Sequence, residues 1–208
     1  HPAWHPEGDV WTHTLLALDQ VACRRTGDRE DDLVLALAVL CHDFGKPATT
    51  ASQPDGRLTS HCHDVRGEHL ARTFIRRIWN QTDLPGKVTP LVACHMRPLA
   101  MMLGQATDKA FRRLAVEAKR LDLLAKLVEC DIMATLPPDP AQALAAIRDF
   151  ADRARALDVT RPPPPLLLGR HLLARGLQAG PRLGQVLRAC YEAQLSGDFN
   201  TTAEALDW

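Results

Sequence analysis

The sequence predicts an all-α protein, on three observations. Apolar residues recur at helical spacing through most of the chain, as in Trp11, Leu15, Leu18 and Ala22. Acidic starts, capping residues, glycines and prolines bound these segments at helix length. Alternating strand patterns are scarce, and no internal repeat is evident.

The first helix covers Trp11 to Cys23, along which that apolar stripe repeats, and the facing of His13 on it is left open. The next, Asp31 to Phe44, begins beside Asp28, Glu30, Asp31 and Asp32, which suit the positive end of a helix. Its body, LVLALAVLC, is apolar all round and predicts burial on every side. Gly45 and Pro47 end it. Ala48 to Ser60 is polar, with Pro54-Asp55-Gly56 as a turn, and reads as a loop. Asp64 to Trp79 is acidic early and basic late, which reads as another helix. Thr89 and Pro90 read as the cap and first position of a short helix closed by Pro98. Thr107 to Ala134 reads as one long helix or two stacked ones. Pro137, Pro138 and Pro140 mark the clearest boundary, dividing the chain into residues 1–136 and 137–208. Beyond it come a helix from Ala141 to about Leu157, the rigid Pro162 to Pro165 run, and two helices joined through Ala179-Gly180-Pro181.

At 208 residues the chain is long enough for one domain with a real core, or for one domain with a helical extension. Hydrophobic residues make up 46% and charged residues 24%, an ordinary soluble composition. The formal net charge is zero, so no global field draws nucleic acid or membrane, and any phosphate-binding surface is local. Six cysteines without a C-x-x-C pair fit a reducing cytosol better than a disulfide scaffold. No apolar run reaches transmembrane length and no secretory signal is visible, so a cytoplasmic location and no membrane partner are expected. The chain opens at His1 without methionine and enters motif-like sequence at once, as a piece of a longer polypeptide does.

Polar residues stand where the helical pattern asks for apolar ones. His42 shares a face with Ala38 and Val39, His95 lies one turn after Leu91 and Val92, and Asp131 follows Leu124, Leu127 and Val128. His13 sits within the first helix. An unpaired carboxylate on a buried face, at Asp43 or Asp131, is costly, and a shared cation compensates all of these groups together. Taken singly, each has a plainer reading, as a hydrogen-bonded core histidine or a capping aspartate. The intervals run to tens of residues, so spacing within one helix does not test the idea. The dipeptide itself is weak: with nine histidines chance alone yields some, and the chain holds two, His42-Asp43 and His63-Asp64.

The order His13, His42-Asp43, Asp131 resembles the H…HD…D signature of the HD-domain metal-dependent phosphohydrolases. His63 and His95 lie between, as in members carrying two metals. HPEGDVWTHT (His5 to Thr14), CHDFGKPATT and GRLTSHCHDVRGEHLAR (Gly56 to Arg72) resemble the HD domain of bacterial CCA-adding tRNA nucleotidyltransferases. LLLGRHLLARGLQAGPRLGQVLRACYEAQLSG is similar to the helical C-terminal segment of the same proteins. The phosphate-binding glycines and paired catalytic aspartates of their nucleotidyltransferase head are not found in this sequence, so the resemblance does not assign CCA addition to it.

The resemblance implies an HD-domain helical bundle, residues 1–136, with a C-terminal helical extension, 137–208. It implies a metal-dependent phosphohydrolase acting on 2′,3′-cyclic phosphates and 2′-phosphates of nucleotides or RNA ends, with cyclic phosphodiesterase, 2′-nucleotidase and phosphatase activities. His13, His42, Asp43 and Asp131 would hold a first metal, with Asp43 bridging to a second completed by His63 and His95. Such ligands suit one or two divalent transition-metal ions, Mn, Ni, Co or Fe ahead of Zn or Mg. Two cations about 3.5–4 Å apart bind phosphate oxygens and activate water. His61, His63 and His69 compete for the second-metal place, and His63 is preferred because Gly67 follows it in the family pattern H-x-x-x-G. Lys46 and Arg66 flank these residues and are candidates for phosphate contact, with Asp43 the third catalytic candidate; each cation also reads as an ordinary surface charge. The implied partners are a nucleotide or RNA-end phosphate, tRNA, and a nucleotidyltransferase domain N-terminal to these residues.

Cys41, Cys62, Cys94 and Cys130 each precede a candidate ligand. Neighbours on a helix diverge by about 100°, so Cys41, Cys94 and Cys130 read as small buried residues behind the site, and a cysteine-zinc centre is not expected. Lys109, Arg112, Arg113, Lys119 and Arg120 form a basic run that reads as an RNA-facing stripe or, more simply, a solvated helix face. Two rival functions remain open: an HD-type di-iron oxygenase with the same ligands, and a non-catalytic tRNA-binding module.

Overall fold

The computed structural model describes residues 6–80, 82–135 and 140–208. The described chain is all-α apart from one short hairpin, in the order α1 (Val10–Ala22), α2 (Arg29–Cys41), α3 (Lys46–Thr49), β1 (Thr50–Ser52), β2 (Leu58–Ser60), α4 (His63–Ile78) and α5 (Leu84–Cys94). There follow α6 (Arg97–Leu103), α7 (Asp108–Ala118), α8 (Leu121–Ala134), α9 (Ala141–Ala156), α10 (Gly169–Ala174), α11 (Pro181–Ser196) and α12 (Thr202–Asp207). The starts are capped as the sequence asks: the Asp9 carboxylate accepts from the Thr12 amide at 2.8 Å, and Asp28 accepts from the amides of Glu30 and Asp31.

Helix α1 settles the face that the sequence leaves open. Its buried residues are His13, Thr14, Ala17 and Val21, whereas Trp11 is 61% and Leu15 44% exposed. The helix lies against α2 and α8, and this contact turns the His13 side inward. Helix α2 runs through the centre, with Val34, Leu35, Leu37, Ala38, Val39 and Cys41 buried.

Helix α5 corrects a second expectation. It begins at Leu84-Pro85 and carries Pro90 in its interior, so Thr89-Pro90 is not its start. Proline at 90 leaves the Gly86 carbonyl without its helical donor, and Lys119 Nζ donates to that oxygen at 3.1 Å. Pro98 opens α6 and does not close α5, which ends at Cys94. Thr107 to Ala134 resolves into two helices, α7 and α8, broken where Lys119 takes a left-handed φ of 65°.

Ala48 to Ser60 is more ordered than a loop. The antiparallel strands β1 and β2 pair Thr50 with Ser60 and Ser52 with Leu58 around the expected Pro54-Asp55-Gly56 turn. Gly56 takes φ 81° there.

Two hydrophobic clusters form. The larger draws on α1, α2, α4, α5, α7 and α8, and takes in Ile147, Phe150 and Ala154 of α9 and the following Val159. The smaller gathers Leu167, Leu172, Cys190, Ala193, Phe199 and Ala205 from the segment carrying α10 to α12. Pro137 and Pro138 of the expected boundary lie outside the described residues; by packing, α9 joins the larger core. The Pro162 to Pro165 run lies against α11, where Tyr191 Oη donates to the Pro163 carbonyl at 2.9 Å and Gln194 Nε2 to that of Pro164.

Candidate metal centre

Five segments of the larger core deliver six polar side chains to one buried place. His13 comes from the inner face of α1, His42 and Asp43 from the end of α2, His63 from the first turn of α4, His95 from the end of α5, and Asp131 from α8. His13, His42, Asp43 and His95 are each 2% exposed or less, His63 is 8% exposed, and Asp131 is half-buried. His42 and His95 cap the C-termini of α2 and α5, so two negative helix ends face the centre and favour a cation there.

One local device orients three of the imidazoles. His42 Nδ1 donates to the Val39 carbonyl at 2.7 Å, His95 Nδ1 to Val92 at 2.7 Å, and His63 Nδ1 to Ser60 at 2.8 Å, each three residues back. His13 Nδ1 instead meets the Glu7 carboxylate at 3.0 Å. With Nδ1 engaged, every Nε2 points inward, as histidine ligands held by an outer partner do.

The inward donors form two groups, His13 with His42 and Asp131, and Asp43 with His63 and His95; either set of donor atoms can hold a metal ion. His13 Nε2 lies 3.3 Å from His42 Nε2 and 3.0 Å from Asp131 Oδ1. His63 Nε2 lies 3.2 Å from His95 Nε2. Donors held about 2.1 Å from a common ion at adjacent coordination positions stand about 3.0–3.4 Å apart, so these spacings fit. Asp43 faces both groups: Oδ2 is 3.3 Å from His42 Nε2, while Oδ1 is 3.5 Å from His63 Nε2.

The electrostatics agree. Burial opposes charge on His42, but Asp43 and Asp131 outweigh it and push its imidazole up to about 9. Burial, with the His42 charge nearby, pulls His95 down to about 4. Burial also works against the carboxylates, yet the His13 hydrogen bond and His42 hold Asp131 at about 2, and His42 and Lys46 hold Asp43 well below the usual carboxylate range. The centre is thus a desolvated place that keeps both carboxylates ionised and the His95 imidazole neutral, the forms in which each can hold a metal.

Of the other candidates, Lys46 Nζ sits 2.7 Å from Asp43 Oδ2. Both line a cavity of about 540 Å³ walled by the hairpin, with His13, Thr50, Arg57 and Ser60. Arg66 is exposed on α4, one residue before the buried Gly67, and lines neither cavity beside the centre. His61 and His69 are exposed, while His63 faces Asp43. Cys41, Cys94 and Cys130 are buried, and neither donor group includes a cysteine. In the basic run, Arg120 forms a two-pronged pair with Asp31, Arg113 pairs with Glu192, and Lys119 serves Gly86, so these three charges are spent on the fold. Glu7 escaped sequence reasoning, because it lies six residues before His13 and outside any helical period; its signal was only its place in PEGD, next to the Asp9 cap.

An all-helical bundle that converges four imidazoles and two carboxylates on one buried point is the architecture of a metal-binding helical domain. The model of the HD domain matches residues 10–154, well over half the sequence, and the chain belongs to the HD domain family. It is 36% identical to the A-adding tRNA nucleotidyltransferase of Deinococcus radiodurans over 207 residues, covering 95% of this chain and 45% of that protein. It is 32% identical to the CC-adding tRNA nucleotidyltransferase of Thermus thermophilus over 201 residues, covering 94% of this chain and 43% of the relative. A shorter match, 49% over 76 residues, joins 36% of the chain to 16% of the multifunctional CCA protein of Alkalilimnicola ehrlichii. The chain therefore spans less than half the length of these curated relatives. No solved structure gives a significant match.

Proposed function

We propose that this chain is a metal-dependent phosphohydrolase acting on 2′,3′-cyclic phosphates and 2′-phosphates of nucleotides or RNA ends. Membership of the HD domain family and the two donor groups support the reading. The observation that carries it is Asp43, with one oxygen toward each group and Lys46 Nζ at 2.7 Å on the cavity side. His13, His42, Asp43 and Asp131 hold the first metal, and Asp43, His63 and His95 the second. Divalent cations bound there supply Lewis acidity toward phosphate oxygens and lower the pKa of water. The imidazole and carboxylate set suits Mn, Fe, Co or Ni ahead of Zn or Mg. Lys46 keeps the Asp43 charge balanced and presents an ammonium donor to a phosphate oxygen in the hairpin cavity. The desolvated imidazoles, fixed by the Val39, Val92 and Ser60 carbonyls and by Glu7, keep the donors in place with no reorganisation.

We place the HD unit at residues up to Val159 and the helical tail after the Pro162 to Pro165 run, later than the Pro137 boundary, because α9 shares the larger core. A cytoplasmic location is part of the proposal; among the described residues no helix is long and apolar enough to cross a membrane.

The test is turnover with Mn²⁺, Co²⁺ or Ni²⁺ on adenosine 2′,3′-cyclic phosphate, adenosine 2′-phosphate and an aryl phosphate. Release of phosphate or ring opening is expected on the first two, and Asp43→Ala abolishes activity and metal retention together. Failure on all three with every metal sinks the proposal. The tRNA nucleotidyltransferase relatives favour a second reading, a tRNA-binding module attached to a nucleotidyltransferase domain. That reading expects RNA affinity with steep salt dependence that survives removal of metal. A di-iron oxygenase would instead retain two equivalents of iron and consume O₂.

A further inference from the structure

Two cavities meet at Asp43, and their linings differ in kind. The hairpin side is lined by Lys46, Arg57 and the hydroxyls of Thr50, Thr59 and Ser60. The opposite side is a cavity of about 450 Å³ between α1, the Phe44 turn and α4, lined by Trp11, Phe44, Pro47, Leu70, Phe74 and Arg77. Asp43 and Val10 belong to both walls, so whatever fills the second cavity lies directly beside the centre.

That second lining is an aromatic platform. Phe44 and Phe74 meet edge to face with ring centroids 5.4 Å apart, which fixes both rings. Trp11 stands on the outer face of α1 with 61% of its surface exposed, although its stripe along the helix asks for burial. A large exposed indole at the lip of an apolar cavity next to a buried polar centre is a stacking surface in search of a planar partner. The hydroxyls nearby offer little edge recognition: Thr14 Oγ1 donates to the Val10 carbonyl at 2.7 Å and Thr73 Oγ1 to the His69 carbonyl at 3.1 Å. Arg77 adds a fixed cation to the same wall. Such a surface reads a π-face and tolerates different base edges.

We propose that this cavity holds the base of a nucleotide substrate, stacked on Trp11, while its sugar-phosphate lies over Asp43 toward the hairpin cavity. The proposal rests on the phosphohydrolase reading and adds to it a base subsite, which takes nucleotides and RNA ends with little preference among bases and ahead of phosphate esters without a base.

The experiment compares adenosine and cytidine 2′,3′-cyclic phosphates with ribose 2′,3′-cyclic phosphate, which has no base, in the metal-loaded protein and its Trp11→Ala and Trp11→Phe variants. Stacking is expected to give the nucleotides about 10- to 100-fold higher kcat/KM than the base-less ester. Trp11→Ala collapses that ratio, and Trp11→Phe restores most of it. An equal loss on both kinds of substrate, or an unchanged ratio, overturns the proposal, the latter meaning that another part of the chain or a protein partner fills the cavity. A second readout is equilibrium binding of adenosine 2′-phosphate to wild type and Trp11→Ala by calorimetry. If no ester is turned over by any form, the hydrolase reading fails by itself, and base stacking stands or falls on whether the Trp11→Ala substitution weakens this binding about 10-fold or more.

Discussion

Gly45→Ala is the most informative single substitution in the centre. Gly45 has φ −76° and ψ −24°, ordinary right-handed backbone, so alanine meets no conformational objection there. The objection is steric. A Cβ at Gly45 would stand 2.0 Å from the His63 carbonyl oxygen, 2.7 Å from its carbon and 2.8 Å from its Cα. Ordinary contact begins at 3.4 Å, so the first turn of α4 must retreat from the Asp43 turn by about 1.4 Å, the difference between 3.4 and 2.0 Å. Metal–ligand distances tolerate about ±0.2 Å, and the shift is roughly seven times that. It falls between Asp43 and His63, whose facing atoms are 3.5 Å apart, and leaves His13, His42 and Asp131 on helices that α4 does not carry. The expected outcome is a folded protein destabilised by about 1–3 kcal/mol. After exhaustive dialysis it keeps one equivalent of metal where the wild type keeps two. Metal analysis by mass spectrometry and a urea unfolding curve read both. Gly67→Ala is the control: its Cβ meets Gly45 N, His42 O and Val92 Cγ1 at 3.4 Å, a fit without displacement, and alanine suits the interior of α4. Full metal content and unchanged stability in Gly45→Ala would refute the reasoning.

Glu7→Ala removes the carboxylate that orients His13 and lowers metal affinity about 10- to 100-fold, read by competition with a chelating dye; equal affinity means Glu7 does not set the imidazole. Asp31→Asn breaks the two-pronged bond to Arg120 that ties the start of α2 to α8, costing about 1 kcal/mol at neutral pH. The Arg120 hydrogen bonds, acting against burial, lower the Asp31 pKa, so this stability is present above the unfolded value of about 4 and lost as pH falls through the folded value. Urea midpoints of wild type and variant should therefore converge in acid, and a gap that persists there speaks against the pair. Phe150→Ala costs about 3–5 kcal/mol if α9 belongs to the larger core, where Phe150 is fully buried against Phe111 at 5.1 Å between centroids; a loss under about 1 kcal/mol would put α9 with the tail.

Helix existence was legible because caps and stops are local. Asp28 before an apolar run and Pro181 opening α11 after Gly180 need no tertiary partner to be read. The start of α5 is not legible because the compensation for Pro90 comes from Lys119, in the break between α7 and α8. The hairpin is not legible because strands of three residues carry too few positions to show alternation. At the centre, His42, His95 and Asp131 were legible as polar groups on apolar faces. His13 was less so, because the stripe Trp11, Leu15, Leu18, Ala22 outweighs the inner one, His13, Thr14, Ala17, Val21, in hydrophobicity. Trp11 and Leu15 of that more apolar stripe face outward, Leu18 packs partly against the larger core, and Trp11 lines a cavity.

The hairpin misread as a loop bears directly on the centre. Ser60, the last residue of β2, gives its carbonyl to His63 Nδ1, and Thr59 and Ser60 form part of the hairpin cavity wall. Cys62 then takes a left-handed φ of 58° so that α4 can start at His63, close against Gly45. A left-handed non-glycine residue costs about 1–2 kcal/mol, and it persists because both sides of it are pinned, by the Ser60 carbonyl before and by the Gly45 contact after. The same few residues thus set the orientation of one imidazole and the wall along which a phosphate ester reaches Asp43. Substrate access and the orientation of His63 are therefore mechanically linked, whereas His13, His42 and Asp131 are carried by α1, the end of α2 and α8. Through the Ser60 carbonyl, a change in the hairpin reaches the His63 imidazole first, so the second donor group is coupled to the cavity wall by that hydrogen bond.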